Sequence, residues 1–366
     1  MSATDTNSPD GNLGALLKAA FQVEASDIHI KGGAVPMYRI NGQLRPVDFA
    51  EVDSADLEKF CQLISGRTQD QVASAYQFEF SYDWPGLGRF RGNFYRQMGR
   101  PALALRPIPL EIASMKELRL PAATKRICQL THGFVLVTGA TGMGKSTTLA
   151  SIMAGIAQSS CRHIVTIEDP VEYLIPDGVS CVTQREVGRD VESFELGLRA
   201  ALRQDPDVLM IGEVRDRETM EIALHAAQSG HLILSTAHFA DSIATVNGIV
   251  GMAPRAEQLN WRSRLAESLQ AVISQRLLPR ADGTGRVLAT ELLLNEPSVR
   301  ACVVDESKTK SIRTCLERGR AALGTHTLDQ CLIELLENKL ITVETARWCA
   351  ASPGDLMREV HLRRMV

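Results

Sequence analysis

Short apolar runs alternate with amphipathic stretches over most of the chain after residue 133. The apolar runs are 134–137, 164–167, 207–211 and 231–234, and each is too short for a buried helix. Helical stretches separate them, as at 194–202 and at 220–229, where Gly230 marks the predicted helix end. Continuous apolar strands separated by helices predict a parallel sheet covered on both faces, and hence an α/β domain.

The first third of the chain has a different pattern. Residues 14–21 form a helical patch and residues 26–31 alternate as a half-buried strand does. Asn41-Gly42 predicts one hairpin, and 89–95 with 102–106 predict a second one around Gly99. We therefore expect a small α+β domain at 13–108, after a flexible start at 1–12 and before a linker at 109–120. The α/β domain then takes 121–366, with a helical part from about 255.

Composition narrows the class of protein. The chain has 366 residues, 45% of them hydrophobic and 23% charged, which predicts two globular domains. A net charge of −3 gives no basic field that favours nucleic acid. The eight cysteines form no C-x-x-C pair, so reduced thiols are expected. No apolar run approaches the roughly 20 residues of a membrane span. We expect a cytoplasmic protein that reaches a membrane only through a partner.

A phosphate-binding loop is the most specific motif. "GATGMGKST", residues 139–147, fits G-x-x-x-x-G-K-[ST] directly between a predicted strand and a predicted helix. Its backbone N–H groups would face phosphate oxygens, Lys145 would reach the β- and γ-phosphates, and the Ser146 hydroxyl would join the Mg²⁺ shell. The predicted nucleotide-binding residues are Gly139, Ala140, Thr141, Gly142, Met143, Gly144, Lys145, Ser146 and Thr147.

Acidic side chains follow two further strands. Glu213 ends the buried run 207–211, at the sheet edge where open parallel sheets bind ligands. Glu168, Asp169 and Glu172 follow the run 164–167, where Pro170 interrupts the ladder. Carboxylates beside a magnesium-bound triphosphate can hold metal or water, position groups or activate the attacking water. Composition alone does not assign these roles among the three.

Two histidines, His231 and His238, bracket the last apolar run in "GHLILSTAHF". The strand follows the Glu213 strand after one helix, which predicts that His238 lies at the same sheet edge. A γ-phosphate sensor is the functional interpretation, and an ordinary structural histidine is the alternative.

These boxes together resemble the type II/IV secretion ATPases. "GATGMGKSTT", "TIEDPVEY", "LRQDPDVLMIGEVRDRET" and "SGHLILSTAH" stand in the order of that family's Walker A, Asp, Walker B and His boxes. "SDIHIKGGAVPMYRINGQL" resembles the start of its PAS-like domain. The similarity is closest to the type IV pilus retraction ATPases, the PilT/PilU group. It implies a RecA-like P-loop motor domain behind a small α+β PAS-like domain, in a homohexamer that binds ATP and Mg²⁺.

The resemblance also implies individual roles. Glu172 becomes the general base, with Glu168 as its rival, while Glu213 becomes the Walker B acid and His231 and His238 the His box. Arginines of the N-terminal domain reach the nucleotide in such motors. Arg106 matches these arginines best, followed by Arg89 and Arg91. Implied partners are an inner-membrane pilus platform protein and a paralogous retraction ATPase, with no nucleic acid and no direct membrane span. The implied location is cytoplasmic, peripheral to the inner membrane at the pilus base.

Departures from the family pattern keep a second role open. Ala140 and Met143 replace the usual proline and serine of the loop, at positions where the backbone matters more than the side chain. The helical motif typical of retraction motors is replaced by "SVRACVVDE", residues 298–306. The chain also lacks the extra N-terminal domain and four-cysteine insert of extension motors, which favours retraction. The alternatives are an accessory PilU-like paralogue and, with less support, a nucleic-acid translocase.

Overall fold

The chain folds into two compact units. The computed structural model describes residues 11–40 and 42–363. Residues up to Glu111, together with Pro170–Leu174, belong to the first unit, and Ile112–Asp169 with the chain from Ile175 onward belongs to the second. Of the start predicted to be flexible, residues 1–10 lie outside the described residues, and a helix already begins at Asn12.

Over its described residues, the first unit is an antiparallel sheet with three helices. The strands lie in the order β3-β2-β1-β6-β5-β4. The helices are α1 (Asn12–Gln22), α2 (Ser54–Ser65) and α3 (Gln69–Ser74), and the strands are β1 (Asp27–Lys31), β2 (Met37–Ile40), β3 (Gln43–Pro46), β4 (Gln77–Trp84), β5 (Gly88–Gln97) and β6 (Arg100–Pro109). Both predicted hairpins are present, as β2–β3 and β5–β6. Asn41 lies outside the described residues, and Gly42 has a φ of 81°.

The core of this unit follows from the alternation in its strands. Ile28 and Ile30 of β1 are fully buried while their neighbours are partly accessible. They pack with apolar side chains of α1, α2 and β5, among them Leu17, Leu57 and Phe94. Period-two burial on one face, covered by amphipathic helices, is the expected packing of an α+β unit.

The second unit is a mostly parallel sheet with helices. Its strands lie in the order β13-β12-β7-β11-β10-β8-β9. The strands are β7 (Gly133–Thr138), β8 (His163–Glu168), β9 (Cys181–Glu186), β10 (Val208–Ile211), β11 (Leu232–Ala237), β12 (Leu269–Pro279) and β13 (Arg286–Leu294). The helices are α4 (Lys145–Ser159), α5 (Phe194–Ala201), α6 (Arg217–Gln228), α7 (Ser242–Gly251), α8 (Gln258–Ser268), α9 (Pro297–Val304), α10 (Ile312–Leu323), α11 (Leu328–Glu337), α12 (Val343–Cys349) and α13 (Pro353–Leu362), with 3₁₀ turns at Ala122–Gln129, Arg255–Glu257 and Glu306–Ser311.

The four predicted apolar strands are all confirmed, as β7, β8, β10 and β11. The part predicted to be helical from about 255 also contains two strands, because β12 and β13 extend the sheet. Leu, Ala, Gln and Arg dominate β12 and favour helix locally, whereas pairing with β7 makes the segment a strand.

Apolar cores cover both faces of this sheet. One contains Phe134 and Leu136 with side chains of α5 to α10, and the other contains Val135 and Val137 with side chains of α4. Alternate residues of β7 therefore enter opposite cores, which explains its unbroken apolar sequence. Within residues 11–40 and 42–363, no helix has the length and apolar character to cross a bilayer.

Candidate active site

The carboxyl ends of four strands meet at one edge of the parallel sheet. β7, β11, β10 and β8 are adjacent and parallel, with Thr138 beside Ala237 and Ile167 beside Ile211 in register. The chain leaves these ends at Gly139, His238, Gly212 and Asp169. The sequence motifs predicted from separate parts of the chain are therefore gathered by the sheet topology, at the edge where open α/β sheets bind ligands.

Backbone conformation and crowding explain the glycines of the phosphate loop. Gly139 has a φ of 146°, and a Cβ there would lie 2.5 Å from the carbonyl oxygen of Gln275. Gly142 and Gly144 have φ of 77° and 81°, which side chains rarely allow. Gly144 is the N-cap of α4, so the loop delivers the first N–H groups of that helix toward the loop interior.

The functional side chains of the loop are positioned by α4. The ammonium group of Lys145 donates hydrogen bonds to the carbonyl oxygens of Gly139 and Ala140, at 2.9 and 3.1 Å. The lysine is buried at 9% exposure, whereas Ser146 beside it is exposed. From the other side, the amide of Gln275 donates to the carbonyl oxygen of Met143 at 2.6 Å. The loop is thus braced by β12 and carries a cation inside its curve.

Glu213 lies at the centre of a charged group. Its Oε2 accepts a hydrogen bond from Arg215 at 2.7 Å, and its Oε1 lies 2.8 Å from Nε2 of His238. Burial by itself raises the pKa of Glu213. The hydrogen bond from Arg215 and the electrostatic effects of His238, Arg215 and Lys145 together outweigh burial, so the pKa of Glu213 lies below the ordinary value. The predicted neighbours Lys145, Glu213 and His238 are therefore electrostatically connected.

The two acids at the carboxyl end of β8, Glu168 as its last residue and Asp169 after it, differ in environment. Glu168 is buried at 7% exposure, and its Oε1 accepts hydrogen bonds from Thr166 at 2.7 Å and from Gln184 at 3.0 Å. Asp169 is exposed and lies near Arg215. The pKa of Arg215 is raised, mainly by its hydrogen bond with Glu213, and the charge of Asp169 contributes to the increase. Glu168 is thus held inside the unit, while Asp169 belongs to its charged edge.

Glu172 belongs to the first unit, with the three candidate arginines. Its Oε1 lies 3.5 Å from Nη1 of Arg91, whose Nη2 pairs with Glu79 at 3.1 Å. Arg106 pairs with Asp27 through two nitrogens, at 3.0 and 2.8 Å. Arg91 and Arg106 are therefore each paired with a carboxylate of the first unit.

Arg89 is the buried member of the three candidate arginines. Its side chain pairs with Asp83 at 2.8 Å and is 6% exposed. Arg91, by comparison, contacts Glu172, a predicted catalytic acid, and is 34% exposed.

His231 is separated from the other predicted site residues. It precedes β11, and its carbonyl oxygen accepts a hydrogen bond from Gly133, the first residue of β7. Its Nδ1 lies 3.1 Å from the carbonyl oxygen of Ala226. Since six residues of strand span about 20 Å, His231 and His238 lie at opposite ends of β11. The structure therefore joins only His238 to the charged group at Glu213.

Three contributors were not predicted from the sequence. Arg215 stands two residues after Glu213, so the spacing alone carried a signal. Gln184 lies on β9, a strand that the apolar pattern did not predict. Gln275 had no sequence signal, because it reaches the loop only through the pairing of β12 with β7.

The chain is similar in sequence to known proteins of one family. A sequence profile described as "Type II/IV secretion system protein" matches residues 103–347. The chain belongs to the type II/IV secretion system protein family. "Type IV pilus retractation ATPase PilT" of Pseudomonas aeruginosa is 37% identical over 341 residues, covering 93% of this chain and 98% of that protein. "Type IV pilus ATPase PilU" of the same organism is 34% identical over 348 residues, covering 95% and 91%.

A solved structure agrees with these relatives. The crystal structure of "the Pilus Retraction Motor PilT and Bound ADP" matches with a TM-score of 0.85 and 41% identity, covering 94% of this chain and 98% of that one. The predicted fold class is confirmed: this family member has a RecA-like ATPase domain preceded by a smaller α+β domain. As a secretion-family P-loop protein, it is an ATP-binding ATPase.

Proposed function

We propose that this family member is the hexameric ATP-hydrolysing motor of type IV pilus retraction, coupling hydrolysis to pilin disassembly in twitching motility. The observation that carries the proposal is its similarity to the retraction ATPase over 93% of the chain. We also propose a cytoplasmic location, peripheral to the inner membrane at the pilus base. The partner that the similarity to pilus retraction ATPases suggests there is an inner-membrane platform protein.

The proposed ATP site uses the loop and the edge of the sheet. N–H groups of residues 139–147 bind the phosphate oxygens, and the Lys145 ammonium exchanges its loop carbonyls for the β- and γ-phosphates. Oxygen donors fit Mg²⁺, and the exposed Ser146 hydroxyl and the Glu213 carboxylate supply them. Bound Mg²⁺ would neutralise charge on the phosphates. His238 reports on the γ-phosphate through its contact with Glu213.

Hydrogen bonding favours Glu172 over Glu168 as the general base. Glu168 is buried and already accepts two hydrogen bonds, which stabilise its anion and weaken it as a base. Glu172 keeps 27% of its side chain exposed, and its 3.5 Å contact with Arg91 is long enough to exchange readily. We assign Glu168, through Thr166 and Gln184, to fixing the end of β8.

The same contact assigns a role to Arg91. Its guanidinium pairs with Glu172 and Glu79, and we propose that it contacts the phosphates of bound ATP and thereby releases Glu172. Arg106 and Arg89 remain candidates for the same contact. Each would first have to leave its shorter pair with Asp27 or Asp83.

Steady-state ATPase kinetics test the base assignment. Glu172→Gln should lower kcat by about 10²- to 10⁴-fold, the usual worth of a general base, with little change in ATP affinity. Glu79→Gln is the matched control, since it removes the other partner of Arg91 and should leave kcat within a few-fold of wild type. Lys145→Ala should abolish turnover through loss of phosphate binding. Near-normal kcat in Glu172→Gln would transfer the role to Glu168.

A deletion strain tests the cellular role. Retraction predicts hyperpiliated cells that do not twitch, restored by the wild-type gene and not by the Lys145→Ala variant. Bald cells would refute retraction and indicate pilus extension.

An accessory, PilU-like role is the second candidate. It is supported by 34% identity to PilU over 95% of the chain and by the divergent segment at 298–306. Under this alternative the paralogous retraction ATPase is a partner, and the chain would drive twitching only when that paralogue is present, even as an inactive variant. A nucleic-acid translocase would instead show DNA-stimulated, strongly salt-dependent hydrolysis. The net charge of −3 argues against it.

A further inference from the structure

Two cysteines face each other in the helical part of the ATPase unit. Cys302 lies on α9 and Cys315 on α10, and their sulfur atoms are 3.9 Å apart. Cys302 lies within residues 298–306, the segment that replaces the retraction motif. Neither thiol is among the residues of the proposed ATP site. Cys302 is buried at 6% exposure, whereas Cys315 is only partly buried.

The segment between the two cysteines is anchored by hydrogen bonds from α8. The buried guanidinium of Arg262 on α8 donates hydrogen bonds to the carbonyl oxygen of Val303 and to Thr309 Oγ1, both at 3.2 Å. Thr309 in turn donates to the carbonyl oxygen of Cys302 at 3.4 Å. The end of α9 and the following 3₁₀ turn are therefore fixed on α8. This anchoring makes the approach of the two thiols a property of the packed unit.

We propose that Cys302 and Cys315 form a reversible disulfide when the protein meets a peroxide. The sulfur atoms are at contact distance, and a bond of about 2.0 Å requires them to approach by roughly 2 Å, within reach of side-chain rotation. The bond would covalently join α9 to α10.

The order of the chemistry follows from accessibility. Cys315 is partly accessible whereas Cys302 is buried, so a peroxide reaches Cys315 first. Burial also raises the pKa of the Cys302 thiol, and the neighbouring Cys315 raises it further, which disfavours a Cys302 thiolate as the first nucleophile. The Cys315 thiolate attacks one peroxide oxygen, which breaks the O–O bond and leaves a sulfenic acid and hydroxide. The Cys302 sulfur then attacks the Cys315 sulfur, and the S–O bond breaks with loss of the second oxygen as water. Two thiols and one hydrogen peroxide give one disulfide and two waters.

Tryptic mapping identifies this bond directly. Cleavage after Arg300, Lys308, Arg313 and Arg318 puts the two cysteines in different peptides, residues 301–308 and 314–318. The reduced full-length protein is treated with hydrogen peroxide, its remaining thiols are alkylated, and the digest is analysed without reductant. We expect the two peptides to be linked, and to separate after dithiothreitol.

Control variants and an isotope mixture separate this pair from other thiol chemistry. Cys161→Ser/Cys181→Ser removes two exposed cysteines and should leave the link intact, whereas Cys315→Ser should abolish it. A mixture of ¹⁵N-labelled and unlabelled protein should yield no mixed-isotope pair if the bond forms within one chain. Mixed pairs, or oxidised Cys161 and Cys181 with no 301–308/314–318 link, would overturn the proposal.

Thermal unfolding reports the consequence for the fold. Closing this short loop should raise the unfolding midpoint of the oxidised wild type by roughly 5 °C, reversed by dithiothreitol. Peroxide should not raise the midpoint of Cys315→Ser. A rise of equal size in that variant would show that another modification causes the effect.

Discussion

Replacing Gly139 with alanine tests whether backbone geometry builds the phosphate loop. The new Cβ would lie 2.5 Å from the carbonyl oxygen of Gln275, a backbone atom of β12 that cannot move without disturbing its pairing with β7. Gly142→Ala is the matched control. Its φ of 77° is also positive, but a Cβ there meets nothing within 4 Å.

The cost of each change can be worked out from these two observations. Positive φ costs a non-glycine residue about 1–3 kcal/mol, and a φ of 146° lies in the region that is nearly exclusive to glycine. Crowding into a packed site adds about 1–3 kcal/mol. We therefore expect about 4 kcal/mol for Gly139→Ala and about 1–2 kcal/mol for Gly142→Ala. If the loop alone absorbs the larger cost, ATP affinity falls by roughly 10³-fold.

Two measurements check this difference. Equilibrium binding of a fluorescent ATP analogue gives the loss of affinity, and urea unfolding shows how much of the cost falls on the whole unit. The summed loss of ATP-binding free energy and unfolding free energy should be far larger for Gly139→Ala than for Gly142→Ala. Equal losses in both variants would refute the reasoning, because the contact with Gln275 would then contribute nothing.

Three further predictions concern the same unit. Arg262→Ala should lower the free energy of unfolding by about 3 kcal/mol, since it leaves buried acceptors on Val303 and Thr309 without their donor; urea titration checks this, and equal stability would contradict the burial argument. The folded pKa of Glu213 is lowered, so its ionisation stabilises the fold above the ordinary value of 4.5 and that contribution is lost as pH falls through the folded value. Arg215→Ala should therefore be less stable than wild type at pH 7, with a difference that shrinks towards pH 4; a pH-independent difference would remove Glu213 as its cause. His238→Ala should impair ATP turnover while His231→Ala changes mainly thermal stability, and equal loss of kcat in both would contradict their separation along β11.

Sequence pattern was sufficient wherever local chemistry is decisive. The phosphate loop needs glycines, lysine and a hydroxyl at fixed spacing after a strand, and β7 and α4 lie where that spacing requires. The apolar runs predicted β8, β10 and β11, because strands buried on both faces tolerate little polarity. The Asn41-Gly42 signal predicted the β2–β3 pairing from turn chemistry alone.

Tertiary structure decided what depends on partners distant in the chain. β12 has a helix-favouring composition and is a strand because β7 and β13 pair with it, which also brings Gln275 to the loop. His231 and His238 belong to one box in the resemblance, and the strand order predicted only the position of His238; the course of β11 shows that His231 lies about 20 Å from it, at the other end of the strand. Glu168 at the end of β8 and Glu172 beyond it likewise share one motif, yet Glu168 is hydrogen-bonded to Thr166 and Gln184 while Glu172 contacts Arg91. Residue type and spacing can specify a motif, but burial and pairing across the fold determine which of its members are available for chemistry.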